Sequence, residues 1–107
     1  MTVPEIDVAT LVEHHANGAI VLDVRETGEY DEGHVPGARL IPLGEVPDRI
    51  ADVPADRPLY VICRSGARSA RAAEWLIGQG IDAVNIAGGT LGWIDAGQPV
   101  VAGREPG

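Results

Sequence analysis

Cys63-Arg64-Ser65-Gly66-Ala67-Arg68-Ser69 sets the only thiol of the chain beside two guanidinium groups and a glycine. The apolar run Leu59–Cys63 before it reads as a buried strand, and helical periodicity follows from Ser69 onward. A loop running from a strand into a helix can turn several backbone N–H groups toward one point and hold an anion there. Gly66 permits the backbone angles of such a curl. Arg64 and Arg68 add positive charge, and Arg71 stands one turn further on. A thiol in that field is expected to ionise below its ordinary pKa. The thiolate is the nucleophilic form, and a thiol already ionised needs no separate general base. The competing reading is a cysteine that fills core space. Two arginines and a glycine within five residues favour the reactive thiol.

The elements that must position this segment follow from periodicity. Short strands are expected over Val3–Ile6, Ala19–Leu22 reaching Asp23, Ala38–Ile41, Leu59–Cys63 and Ile81–Ile86. Helices are expected after Asp7 as cap, with Val8, Leu11, Val12 and His15 on one face, then over Thr27–Glu32, Gly44–Asp52 and Ser69–Gln79. The Gly44–Asp52 helix would turn Val46, Ile50 and Val53 inward. Pro54 and Pro58 bracket a loop. Gly80 falls at the C′ position of the clearest helix. Gly88-Gly89 leads into a short last helix carrying Leu91, Trp93 and Ile94, and residues 100–107 are expected to fray. Strands alternating with helices imply an α/β fold with a mostly parallel sheet and helices on both faces. In such sheets ligands gather beyond the carboxyl ends of strands, where Cys63 falls.

Composition narrows the function. The chain has 107 residues, which suits one domain spanning 1–107 with its core at about 5–99. Sixteen acidic residues face eight basic ones, all arginine, for a net charge of −8. That balance argues against nucleic acid and against anionic membrane surfaces, which require basic patches. No apolar run approaches the ~18 residues of a membrane span. A single cysteine cannot form an intramolecular disulfide. The first residues show neither a basic nor an apolar leader region, so a cytoplasmic protein with a reduced thiol is expected.

Cys63-Arg64-Ser65-Gly66-Ala67-Arg68 resembles the active-site loop of the rhodanese family, the thiosulfate sulfurtransferases. Leu22-Asp23-Val24-Arg25-Glu26 with Glu29-Tyr30, then Gly33-His34-Val35-Pro36-Gly37-Ala38, resembles the amino-terminal signature of that family. Gly88-Gly89 followed by Trp93 resembles the carboxy-terminal one. The three motifs stand in the family's order and together span about residues 5 to 99. The resemblance implies a rhodanese-like three-layer sandwich around a central, mostly parallel sheet of about five strands. It implies that Cys63 is catalytic and that Arg64, Ser65, Gly66, Ala67, Arg68 and Ser69 bind the substrate. It further implies a ping-pong reaction: thiosulfate or a related small anionic donor leaves its outer sulfur on Cys63 as a persulfide, and cyanide, a thiol or a protein cysteine removes it. No cofactor beyond that covalent intermediate is implied.

Ser65 departs from the basic residue that well-known two-domain members carry at that place, and Arg68 is expected to supply the charge instead. Two other classes compete. One is a rhodanese-like sulfur-carrier or partner-binding module with little turnover; the retained Cys63 argues against it. The other is a phosphatase or arsenate-reductase-like oxyanion enzyme. Those carry a C-x5-R loop, one residue longer than the C-x4-R spacing here.

Three further residues invite a role. Asp23 and Arg25 either line the pocket or pair with each other to fix neighbouring loops, and the paired reading is favoured because buried charges are normally partnered. His34 either donates a proton near the site or, as favoured, hydrogen-bonds the backbone of the Val35-Pro36-Gly37 turn. His14 and His15 point about 100° apart on a helix, and no ligand set with metal spacing accompanies them, so no metal is expected.

Overall fold

The computed structural model describes residues 2–55 and 57–107. Met1 and Asp56, the latter in the loop expected between Pro54 and Pro58, lie outside the described residues. In chain order the elements are β1 (Glu5–Ile6), α1 (Val8–Ala16), β2 (Ile20–Asp23), α2 (Thr27–Glu32), β3 (Arg39–Leu40), β4 (Leu59–Ile62), α3 (Ala67–Gly78), β5 (Ala83–Ile86) and α4 (Gly89–Asp95). The five strands form one parallel sheet in the order β1-β5-β4-β2-β3. All carboxyl ends therefore share one edge, and β4 lies at its centre.

Period-two alternation divides β4 between two cores. Leu59, Val61 and Cys63 face a cluster containing Ala72, Ala73 and Leu76 of α3 with Val46 and Val53. Ile62 faces the opposite cluster, where Val8 and Leu11 of α1, Tyr30 of α2 and Trp93 of α4 pack together. The result is the three-layer sandwich expected from the alternation of strands and helices. Full burial of a side chain such as Leu76 stabilises by roughly 1.5–3 kcal/mol.

Local chemistry accounts for the element ends. The Asp7 carboxylate accepts from Thr10 N at 2.8 Å and caps α1. Glu26 and Glu29 form a capping box at the start of α2. α3 begins two residues before Ser69, at Ala67, because left-handed Gly66 serves as its cap.

Two expectations fail. Gly44–Asp52 is not an α-helix: it holds 3-10 turns at Leu43–Glu45 and Ile50–Asp52, joined by a turn. Pro47 lies between them and has no N–H to give to a helical ladder. Val46 and Val53 still point inward. Residues 100–107 are tied down rather than frayed. Val101 bridges His34, Gly103 N donates to Asp31 O, Gly37 N donates to Pro106 O, and Arg104 pairs with Asp31. None of the helices described is long and apolar enough to cross a membrane.

Candidate active site

Cys63 follows the last residue of β4 and is 1 % exposed, with its sulfur at the base of the turn that leads into α3. Gly66 N donates to Sγ at 3.1 Å, and Ser69 Oγ lies 3.2 Å from it. Burial opposes ionisation and is the largest single influence. Hydrogen bonds from the Ser69 hydroxyl and from the Ser69, Gly66 and Ser65 amides outweigh it, so the thiol is held below its ordinary value of 9.0. The sequence points to the loop amides and the arginines together as the source of that effect. The leading favourable influences are the hydrogen-bond donors, because buried short-range dipoles act on the sulfur with little screening by water.

The cradle is held from behind. Thr90 N and Oγ1 donate to Cys63 O at 2.9 and 3.0 Å, and Leu91 N donates to Arg64 O at 3.1 Å. The first turn of α4 thus clasps the carbonyls of the loop. Gly89 makes this approach possible: its φ is +58°, and a Cβ there would lie 2.5 Å from Arg64 O. The Gly88-Gly89 pair thus sets backbone geometry beside the Cys63 loop.

The predicted substrate residues divide. Ser65 and Gly66 supply amides to the sulfur, and Ser69 supplies an amide and a hydroxyl. Ala67 opens α3 and is exposed. Arg64 is exposed and makes no ion pair among the described residues. Arg68 does not offer a free charge: its guanidinium is bidentate to Glu29 of α2. Glu29 is held down to about 2, first by the Arg68 hydrogen bond. Arg64, not Arg68, is therefore the uncommitted cation of the loop. A cavity of about 290 Å³ lies beside it, walled by Arg25, Glu29, Thr90 and Leu91. A larger hollow of about 520 Å³ lies between Leu43–Pro47 and α3 and includes Arg71, but no residue of the 63–69 loop lines it.

Asp23 and Arg25 are paired and buried. Arg25 N, Nε and Nη2 all donate to the Asp23 carboxylate, and Nη2 also reaches Gly33 O. The pair closes the β2–α2 corner, while Arg25 also walls the cavity beside Arg64. His34 is buried, stacked on the Tyr30 ring, with Nδ1 2.9 Å from Tyr30 O and Nε2 2.9 Å from Glu105 O. It bonds backbone, but not that of the 35–37 turn. His15 takes that place, with Nε2 2.7 Å from Pro36 O.

Sequence reasoning missed the roles of Asn85 and Glu29. Asn85 on β5 is 1 % exposed and sits behind Ser69. A polar residue at an inward position of an apolar strand was the available signal, since buried amides require partners. Glu29 meets Arg68 across 39 positions, and no local pattern announces such a pair.

The chain matches the profile of the rhodanese-like domain family over residues 7–96. It is 37 % identical over 103 residues to a sulfurtransferase of Allochromatium vinosum, covering 94 % of this chain and 96 % of that protein. It is 39 % identical over 79 residues to the thiosulfate sulfurtransferase GlpE of Pseudomonas entomophila, covering 73 % and 72 %. The crystal structure of a rhodanese-related protein from Thermoplasma volcanium superposes with a TM-score of 0.87 at 36 % identity, covering 95 % of this chain and 99 % of that one.

Proposed function

The chain belongs to the rhodanese-like domain family, and from that premise we propose that it moves the outer sulfur of thiosulfate to a thiol or to cyanide through a persulfide on Cys63. The supporting observation is the cradle: Gly66 N and Ser69 Oγ both lie within hydrogen-bond reach of the Cys63 sulfur at the carboxyl edge of the sheet. The relative GlpE carries thiosulfate sulfurtransferase as its name.

In the proposed reaction the Cys63 thiolate attacks the outer sulfur of thiosulfate. A new S–S bond forms, the S–S bond of the donor breaks, and sulfite leaves with the electron pair. The terminal persulfide sulfur carries the negative charge into the ring of loop amides. Preorganised donors around a developing anion lower the barrier because they need no reorganisation. In the second half-reaction the acceptor attacks that terminal sulfur and the Cys63 thiolate leaves. Two displacements through one covalent intermediate give ping-pong kinetics. Arg64 meets the incoming dianion, and the Arg68–Glu29 pair holds the loop against α2. A reduced thiol of this kind suits the cytoplasm.

Thiocyanate formation from thiosulfate and cyanide tests the reading. The parent chain is expected to turn over and Cys63→Ser to be inactive. Activity retained by Cys63→Ser would place the chemistry elsewhere. A parent that loads sulfur but turns over negligibly with every acceptor would mark a carrier.

A further inference from the structure

Ser69 has one hydroxyl proton and two acceptors for it. Its Oγ lies 2.6 Å from Asn85 Oδ1 and 3.2 Å from Cys63 Sγ. The amide orientation of Asn85 is set from the other side. Its Nδ2 donates to Glu5 Oε2 at 2.8 Å and to Gly66 O at 3.2 Å, both pure acceptors, so Oδ1 must face Ser69. A chain of contacts thus runs from Glu5 on the edge strand β1, through Asn85 on β5, to Ser69 on α3 and the sulfur beyond β4.

An amide does not pass protons on, so this chain is not a proton wire from Glu5. What it can do is orient a rotor. While Cys63 is a thiol, its S–H can donate to Ser69 Oγ and the Ser69 hydroxyl can donate to Asn85. Once the sulfur is an anion it becomes an acceptor only, and the hydroxyl must turn to it. That turn leaves Asn85 Oδ1, which is buried, without a donor, and the loss opposes ionisation.

The geometry points to Asn85 as a positioning residue that competes with the Cys63 sulfur for the single Ser69 hydroxyl proton and thereby opposes ionisation of the thiol. This rests on Cys63 being the nucleophile of the proposed reaction. Arg68 of α3 is a cation whose field reaches the sulfur, and Glu29 of α2 is bonded to it. Arg64 is exposed in the same loop, Glu5 of β1 accepts from Asn85, and Asp23 and Arg25 pair with each other at the end of β2. The side-chain hydrogen bonds of Ser69 Oγ go to Cys63 Sγ and Asn85 Oδ1.

The test is the pH dependence of the rate at which iodoacetamide alkylates the protein, followed by intact mass, which reports the Cys63 thiolate alone because the chain has one cysteine. It uses no sulfur donor, so it can fail while the transfer reaction stands, and the reverse. Asn85→Ala frees the hydroxyl for the sulfur, and the midpoint is expected to fall by about half a unit to one unit, the size of one neutral hydrogen bond. Ser69→Ala removes the donor, and the midpoint is expected to rise by at least about as much. In the double variant Ser69→Ala/Asn85→Ala the downward effect of the Asn85 change must vanish, since no hydroxyl remains to redirect. Asn85→Leu, which fills the space, gives the same three comparisons should the alanine variant not fold. A midpoint that rises in the Asn85 variants, or that falls equally with and without the Ser69 hydroxyl, overturns the assignment.

Discussion

The Arg68 guanidinium meets the Glu29 carboxylate through two hydrogen bonds of 2.7 and 2.8 Å, tying the first turn of α3 to α2. The pair lies beside the cradle yet leaves its positive charge already answered. Arg64, next to the sulfur in sequence and without an ion pair among the described residues, is the uncommitted cation that the proposed reaction assigns to the substrate anion.

The two arginines should therefore separate kinetically. Arg64→Ala is expected to slow sulfur loading from thiosulfate by about tenfold or more, the worth of one charge-assisted contact, with release to a neutral thiol little changed. Arg68→Ala should slow both half-reactions together, and Glu29→Gln should resemble it. Rapid-mixing measurement of each half-reaction checks this. Selective loss of loading in Arg68→Ala would return the substrate role to Arg68.

Glu29 titrates near 2 when folded, against an ordinary value of 4.5. As pH falls, the unfolded chain takes up that proton first. The stability conferred by the pair is then complete above about pH 4.5 and disappears as pH drops toward 2. Both side chains are about one third exposed, so solvent screening holds the contribution near 1 kcal/mol. Urea unfolding should show Glu29→Gln weaker than the parent at pH 7, with the gap shrinking at pH 2.5. A constant gap would mean that the charge of Glu29 is irrelevant.

The hydrogen bonds to Cys63 outweigh its burial and hold its pKa below 9.0. Loading rates should rise with pH and level off at a midpoint below that value, because the thiolate is the attacking form. Added salt screens exposed guanidinium charges but not short buried hydrogen bonds. The midpoint is therefore expected to move little between low salt and about 1 M salt, a range over which the Debye length falls to roughly 3 Å. A large upward movement with salt would restore the arginines as its cause.

Gly89 and Gly97 both have positive φ, at +58° and +77°, but only Gly89 has Arg64 O in the space of a Cβ. Gly97→Ala should cost about 1 kcal/mol of backbone strain and leave sulfur transfer intact. Gly89→Ala should displace the loop carbonyls and reduce transfer more than its loss of stability explains. Equal activity of the two folded variants would detach α4 from the positioning of the cradle.

Most of this architecture was legible where apolar patterning carries it. The apolar run Leu59–Ile62 announces β4, and the inward face of Ala72, Ala73 and Leu76 marks α3. Asp7 marks the start of α1 by its own chemistry. What stayed hidden depends on tertiary partners. The tail at 100–107 has no periodic face, and it is held through backbone groups of Val101, Gly103, Glu105 and Pro106. In Gly44–Asp52 the inward valines suggested a helix, but Pro47 allowed only 3-10 turns. Cys63, Gly66 and Ser69 were readable as a cradle from one contiguous segment. Glu29, Asn85 and Glu5 reach it from three other elements and become visible only once the sheet is assembled.

The most direct test is the intact mass of the protein after thiosulfate treatment and again after cyanide. One added sulfur atom, absent in Cys63→Ser and removed by cyanide, is the predicted result. An unchanged mass under thiosulfate, or a sulfur that survives in Cys63→Ser, would contradict the persulfide at Cys63.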